Sequence, residues 1–130
     1  MKNLKLMKEI ENNSYDLRSW ITENTKCDDL VVRFDFTGNE TEITLVYELN
    51  NGCCVDFKVL ITADNIEAGT TLRSDSFEII VGDNEDRRLE IETINELKDV
   101  IFRVKYYVEF FENRLSVDDD SGKIIYRQKI

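Results

Sequence analysis

Carboxylates are the most abundant groups in this chain that could do chemistry, and they are concentrated in its middle. The 130 residues include 27 acids and 17 bases, which gives a net charge of −10. Residues 34–100 hold 16 of the acids but five of the bases, whereas both flanking segments are close to neutral. A surface with this charge attracts a basic protein and repels phosphates, so we expect no direct binding of nucleic acid.

The sequence lacks the common catalytic and metal-binding patterns. It has no histidine, which removes the commonest general base and metal ligand. The acidic run that starts at Asp118 does not have the spacing of a calcium-binding loop, because Gly122 is fifth and not sixth in the run. Cys27 stands alone, and Cys53 and Cys54 are adjacent, which matches neither a disulfide framework nor a zinc site. We therefore predict a protein that is not an enzyme and uses no cofactor or metal.

The adjacent cysteines also carry a geometric expectation. Consecutive residues of a strand point to opposite faces of the sheet. We therefore expect Cys53 and Cys54 to be one buried thiol and one partly exposed thiol, rather than a redox pair.

The elements that must position the acidic residues follow an α+β pattern. Apolar residues alternate strongly in 30–36, 43–49 and 55–61, which predicts an antiparallel β-meander with one apolar face. A hairpin signal, 50–52, separates the last two. Weaker patterns predict the remaining elements: an edge strand at 15–21, a loop at 64–76, strands near 77–81 and 89–91, and a final strand at 124–130.

Two helices complete the predicted fold. A short one is expected over residues 2–12, and a capping box, Thr93 with Glu96, begins a longer one that we expect to reach Leu115. The apolar residues of the long helix that should cover the sheet are Ile94, Leu97, Ile101, Val104, Val108, Phe111 and Leu115. No linker signal occurs, so residues 1–130 are expected to form a single domain. Its sheet has about five antiparallel strands, with the short N-terminal helix and the long C-terminal helix packed on one face.

The long helix has a second apolar stripe, Phe102, Tyr106 and Phe110, almost opposite the first. A helix that is apolar on two faces is either covered on both by its own chain or presents one face to a partner. Both alternatives are open at this point, and a homodimer is one form of the second.

No segment of the chain has the composition of a membrane anchor. No run approaches the roughly 20 apolar residues that span a bilayer, and charged residues interrupt the first ten positions. We therefore expect no membrane association and a cytoplasmic location.

A set of residues in the first third of the chain resembles a known family. The matching residues, at matching spacing, are Glu9, Ile10, Asn12, Tyr15, residues 30–33, residues 38–40 and Ile43. They resemble small acidic type II-A anti-CRISPR proteins, phage-encoded inhibitors of the RNA-guided type II nuclease. Ser14 and Thr37 stand where that family has acids, and the similarity does not extend beyond Ile43.

The resemblance implies a function and a site. In that family an acidic turn fills the pocket where the nuclease reads the motif beside its DNA target, so the inhibitor blocks DNA binding by charge mimicry. It implies a location in the cytoplasm of the phage's host. The partner-binding residues that we infer in this chain are Tyr15, Asp35, Gly38, Asn39, Glu40 and Glu42.

The leading hypothesis is therefore an acidic protein inhibitor of a basic nucleic-acid-binding protein, most specifically an RNA-guided nuclease. One alternative is an immunity protein against a basic nuclease toxin. The other is a structural or assembly protein that self-associates through Phe102, Tyr106 and Phe110.

Overall fold

The computed structural model describes residues 3–25, 29–50, 52–75, 78–81, 90–117 and 124–126. Its fold is α+β, with a five-stranded antiparallel sheet, short N-terminal helices and a C-terminal helical segment, as the sequence predicts. The elements in chain order are α1 Leu4–Asn12, α2 Ser14–Thr25, β1 Val31–Thr37, β2 Glu40–Glu48, β3 Cys54–Thr62, β4 Ile66–Arg73, β5 Glu78–Val81, α3 Ile94–Ile101, α4 Arg103–Arg114, β6 Leu115–Val117 and β7 Ile124–Tyr126.

The main sheet is a meander in which the strand order β1-β2-β3-β4-β5 is also the chain order. The predicted hairpin between β2 and β3 is present, and Gly52 adopts the left-handed backbone conformation, with φ +86°, that the turn requires. The Leu49 N–H donates to the carbonyl of Cys53 at 2.7 Å, which closes this hairpin. β6 and β7 pair with each other in a separate two-stranded sheet.

The hydrophobic core lies between one face of the sheet and the helices. The strand residues buried there are Val32, Ile43, Leu45, Val55, Phe57, Val59, Ile61, Ile66, Ala68 and Leu72. The buried helical residues are Leu6, Met7, Ile10, Leu17, Ile21, Leu97, Val100, Ile101, Val104, Val108 and Phe111. We call this side of the sheet the core face. No helix in the described part of the chain is long and apolar enough to cross a membrane.

The predicted helix start at Thr93 is confirmed, and the Thr93 hydroxyl donates to the Glu96 carboxylate at 3.1 Å. The Thr93 hydroxyl oxygen accepts a hydrogen bond from the Glu96 N–H at 3.2 Å, as a helix N-terminus requires. The long helix is nevertheless divided at Phe102 into α3 and α4. The Lys105 N–H donates to the carbonyl of Phe102, three residues back and not four, so the chain is wound more tightly at this division.

The predicted edge strand at 15–21 is wrong, because this segment lies within helix α2. Its alternation of Tyr15, Leu17 and Ile21 with polar residues suggested a strand. The residues that α2 buries are instead spaced by four, namely Leu17, Ile21 and Thr25. The segment forms a helix and not a strand, because helical spacing places these three residues against the core and leaves Tyr15 in solvent.

The predicted loop at 64–76 is also wrong, because it contains strand β4. The buried residues of β4 alternate as a strand requires, from Ile66 through Ala68 and Thr70 to Leu72. Two of these four residues are small or polar, and Gly69 lies between them, so the apolar signal is weak. The backbone of this segment is held as a strand by pairing with β3 along eight residues, although its composition does not indicate a strand.

The remaining differences concern the second half of the chain. Ile91 is buried but lies outside any strand, and Leu89 is not among the described residues. The predicted final strand corresponds to β7, which is shorter, and residues 127–130 lie outside the described part. Cys27 and the acidic run from Asp118 to Gly122 also lie outside it.

Candidate partner-binding surface

The face of the sheet opposite the core face is the candidate surface, and we call it the open face. In the described part of the chain it forms a concavity of about 760 Å³ and not a packed interface. Strand alternation places most of the polar residues of β1 to β4 on this face. Those that line its centre include Arg33, Thr44, Asp56 and Lys58.

Carboxylates collect at one end of the open face. Asp35 of β1 lies directly opposite Glu42 of β2, and Glu40 lies two pairs closer to the β1–β2 turn, on the same face. Glu42 is opposite Leu60, which is in turn opposite Glu67 of β4. These residues, together with Asp64 in the β3–β4 turn, are called the acidic end: Asp35, Glu40, Glu42, Asp64 and Glu67.

Two neighbouring turns border the acidic end. The β1–β2 turn contains Gly38 and Asn39, and the β3–β4 turn contains Asp64. Both turns lie at the same end of the strands, because Glu40 is paired with Thr62. Together they line a depression of about 520 Å³. A partner group that enters this depression would therefore contact both Glu40 and Asp64.

The charges of the acidic end are only partly compensated. The Lys58 Nζ lies 3.6 Å from the Glu42 Oε1, and this is the single ion pair of the acidic end among the described residues. Asp35 faces Glu42 across the ladder, and like charges in directly opposed positions repel. The exposed side chains of Asp35 and Glu40 are therefore available to a cationic partner.

The structure brings five of the six predicted partner-binding residues together and places the sixth elsewhere. Asp35, Gly38, Asn39, Glu40 and Glu42 belong to the β1–β2 hairpin. Tyr15, which is 80 % exposed, lies in α2 within the helical layer, on the other side of the sheet from the carboxylates.

Sequence reasoning missed two members of the acidic end, Asp64 and Glu67. Both lie in the segment that was interpreted as a loop, so nothing connected them with Glu42. The alternation from Ile66 to Leu72 was the signal that could have found them, because it places Glu67 on the face opposite the core. Gly38 is also less special than its position at a turn suggests, since Gly52 is the one described glycine with a positive φ.

The opposite end of the open face holds a thiol and an ion pair. Cys53 is buried and Cys54 is half-buried on the other face, so the expectation for the two thiols is confirmed. Burial raises the pKa of the Cys54 thiol, and Asp56 and Glu48 raise it further, although Arg73 opposes them. Cys54 is thus protonated at neutral pH, unlike the thiolate of a reactive cysteine.

Arg73 forms a hydrogen-bonded ion pair with one oxygen of Asp56, and this bond raises the pKa of the guanidinium. The other oxygen, Oδ1, is buried without a hydrogen-bond partner in the described part of the chain. Among the same residues, no three or more His, Cys, Asp or Glu side chains are grouped so that they could hold a metal ion.

The second stripe of the long helix is not covered uniformly. Tyr106 is 61 % exposed and Phe110 is 38 % exposed, whereas Phe102 is half-buried. The rings of Phe102 and Tyr106 contact each other edge to face at 5.9 Å. The described part of the chain therefore leaves Tyr106 mostly exposed.

Comparisons of the chain with protein families, with characterised proteins and with solved structures find no match. Function is therefore inferred from the geometry of the acidic end and from the resemblance of residues 1–43.

Proposed function

We propose that this protein is an acidic inhibitor that binds a basic nucleic-acid-binding protein through the acidic end. Its most specific form is an anti-CRISPR protein that binds an RNA-guided type II nuclease and prevents target-DNA binding. The observation that carries this proposal is the convergence of Asp35, Glu40, Glu42, Asp64 and Glu67 at one end of an open sheet face, with a single described ion pair among them.

The chemistry of DNA reading explains why such a surface can inhibit. Arginines that read guanine edges form two parallel hydrogen bonds, and a carboxylate accepts the same pair of bonds with the added attraction of opposite charge. Glu40 and Glu42 are held by ladders to strands on both sides, so little backbone order is lost when they bind. The negative field of the acidic middle also steers a basic partner toward the surface.

The resemblance supports the same end of the molecule. Its matching residues include the turn at 38–40, which joins the strands that carry Asp35 and Glu42. The structure adds Asp64 from a turn that lies outside the resemblance, on the border of the same depression. Inhibition on this basis is stoichiometric occupation of a site, with no chemical step.

The test is removal of carboxylates from the acidic end. A Glu40→Ala, Glu42→Ala double variant should weaken binding to the guide-loaded nuclease by at least about thirtyfold, because a desolvated charge pair contributes on the order of 2–5 kcal/mol. Its free energy of unfolding should change by less than about 1 kcal/mol, since Glu40 is exposed and Glu42 is in a partly exposed ion pair with Lys58. Affinity is measured by calorimetry and inhibition by titration against a fixed amount of nuclease.

The matched control removes two exposed carboxylates from the helical layer, in a Glu11→Ala, Glu23→Ala double variant with the same net charge. It should bind as wild type does. Equal losses in both variants would indicate a general effect of charge and not a site. If the Glu40, Glu42 variant folds and binds as well as wild type, or if inactivation is complete far below one inhibitor per nuclease, the proposal is wrong.

The exposure of Tyr106 favours one second candidate, a protein that self-associates through Phe102, Tyr106 and Phe110. A stripe of aromatic residues on a helix is apolar enough to be covered by a copy of itself. This candidate needs no basic partner, so binding of the nuclease separates it from the inhibitor.

A further inference from the structure

Strand β1 is an edge strand that is long and largely accessible. It occupies the end of the sheet order and has one described strand neighbour, β2. Its side chains are exposed at several positions, with Val31 52 % and Phe36 36 % accessible. Edge strands of this length present unpaired backbone groups to other chains, and proteins usually cover, charge or shorten them.

The charges of β1 form a pattern that is complementary to itself. Arg33 and Asp35 flank Phe34, and all three precede the turn. Within its own chain Arg33 lies opposite the neutral Thr44, and Asp35 lies opposite Glu42, a residue of like charge. Neither has an opposite charge as its cross-strand neighbour on β2.

We propose that two copies of this chain pair antiparallel through their β1 strands, with a two-fold axis at Phe34. In this register Arg33 of each copy lies opposite Asp35 of the other, because antiparallel partners keep a constant sum of residue numbers. The contact then contains two opposite-charge pairs, and it is isologous, as most homodimer interfaces are. The proposal goes beyond the inhibitor function and shares one residue with it, because the contact uses Asp35 and leaves Glu40, Glu42, Asp64 and Glu67 of the acidic end outside.

Charge selects this register over its neighbours. Directly opposed residues of antiparallel strands lie on the same face of the sheet. The two-fold axis must therefore pass through a residue and not between two residues, because only then do the core faces of both copies lie on the same side of the joined sheet. An axis at Arg33 would oppose two arginines, and an axis at Asp35 would oppose two aspartates. Phe34 is the central position at which both copies gain complementary pairs.

The apolar residues of β1 fit the same register. The rings of Phe34 and Phe36 are stacked in the monomer, with centroids 6.2 Å apart. The dimer places Phe34 opposite Phe34 of the other copy, and Phe36 opposite the other Val32. Aromatic and β-branched cross-strand pairs are among the stabilising ones, so the exposed part of Phe36 gains cover.

Arg18 of α2 is the one described side chain that contacts the backbone of this edge. Its guanidinium donates to the Val32 carbonyl and lies over the Phe34 ring, 5.3 Å from the centroid. A carbonyl oxygen has two lone pairs, so Val32 can still accept a ladder bond. Arg18 therefore limits access from the core face but leaves β1 able to pair edge to edge.

The experiment reverses each charge separately and then combines the products. Arg33→Asp and Asp35→Arg chains should each have only like charges across the proposed contact, and each should be monomeric where wild type sediments at twice its 15.3 kDa. An equimolar mixture of the two should recover the dimer, because every opposed pair is then complementary. The loss of two pairs, with repulsion in their place, should raise the dimer dissociation constant by at least about tenfold.

Sedimentation velocity over a concentration series measures these masses, and circular dichroism checks that each variant is folded. Tyr106→Glu serves as the control, because it changes the other candidate interface and should leave the dimer intact. If a single reversal unfolds the chain, Arg33→Gln and Asp35→Asn replace the pair and should each weaken the dimer, although by less.

Three outcomes would overturn the proposal. Wild type could be monomeric at every concentration, the single reversals could dimerise as wild type does, or the mixture could remain monomeric. A dimer that is abolished by Tyr106→Glu and unaffected at Arg33 assigns the interface to the helix and also refutes pairing through β1. Nuclease binding has no part in this readout, so its failure and the failure of the inhibitor function are distinguishable.

Discussion

At the scale of single residues, the hydroxyl of Thr70 is the clearest internal weakness of the core face. Thr70 is 1 % exposed, and its Oγ1 is buried without a hydrogen-bond partner among the described residues. Thr70→Val keeps the β-branched shape that suits a strand and removes the unpaired polar group. We expect the free energy of unfolding to rise by about 1–2 kcal/mol, measured by denaturant titration.

Thr25 provides a matched control for that substitution. It is equally buried, but its Oγ1 donates to the Ile21 carbonyl at 2.7 Å. Thr25→Val should therefore lower the free energy of unfolding, by about 0.5–1.5 kcal/mol. If Thr70→Val destabilises the protein as much as Thr25→Val, the Thr70 hydroxyl has a partner and the expectation is refuted.

The candidate site could be predicted from residues only in part. Asp35, Glu40 and Glu42 were inferred from the resemblance at the turn 38–40, which they flank or belong to. Glu67 was not assigned to the same site, because the weak alternation of β4 was interpreted as a loop and the position of Glu67 beside Leu60 depends on the pairing of β4 with β3. The Asp56 Oδ1, which has no hydrogen-bond partner among the described residues, could not be predicted either, since its burial depends on the strands beside β3.

At the scale of elements, a substitution in α4 tests whether the second stripe is exposed. Tyr106→Glu places a charge in the middle of Phe102, Tyr106 and Phe110. Because Tyr106 is mostly in solvent, we expect the free energy of unfolding to change by less than about 1 kcal/mol, mainly through the lost edge-to-face contact with Phe102. Thermal unfolding measures the stability, and sedimentation measures the mass.

A stability loss of several kcal/mol in Tyr106→Glu would mean that residues outside the described part bury this side chain in solution. Val104→Glu is the comparison, since Val104 is fully buried and the same charge there should unfold the chain. A dimeric wild type that becomes a folded monomer in Tyr106→Glu would instead support self-association through the helix.

The elements with regular apolar spacing were predictable, and those with mixed signals were not. β2 and β3 alternate without interruption, so their strands and the hairpin between them could be located from sequence. α2 was misassigned because Tyr15, Leu17 and Ile21 fit both a period of two and a helix, and the choice depends on whether Tyr15 is buried. The division of the long helix at Phe102 had no signal, as the segment contains neither proline nor glycine.

At the scale of the whole molecule, the uneven charge predicts a dependence on salt. The association rate constant with the nuclease should fall by about tenfold or more as ionic strength rises, because screening shortens from about 10 Å at 0.1 M to about 3 Å at 1 M. Stopped-flow measurements over a salt series give the slope. The Glu40→Ala, Glu42→Ala variant should have a shallower slope than the Glu11→Ala, Glu23→Ala variant.

A rate constant that does not change with salt would contradict this expectation and indicate an apolar interface. The dissociation rate should respond much less than the association rate, because contacts inside a formed complex are shielded from the solvent ions. Equal slopes in the two double variants would mean that the total charge of the protein sets the association rate and that the acidic end contributes no more than other carboxylates.

The overall architecture was the most predictable property of the chain, because fold class depends on the sum of many patterns and tolerates a few errors. An antiparallel sheet covered by helices on one face follows from three clear strands and a capped helix, even with β4 unrecognised. Strand β5 was located near 77–81, but its place in the sheet was not, since its pairing with β4 required the segment that was missed.

The agreement between strand order and chain order has a consequence for biosynthesis. Every ladder of the main sheet joins consecutive strands, so a growing polypeptide can complete the sheet once Val81 emerges, before α3 and α4 have left the ribosome. During that interval only α1 and α2 are present to shield Leu45, Phe57 and Val59, which are buried in the finished protein. The nascent chain thus exposes part of its core face until its last third emerges from the exit tunnel.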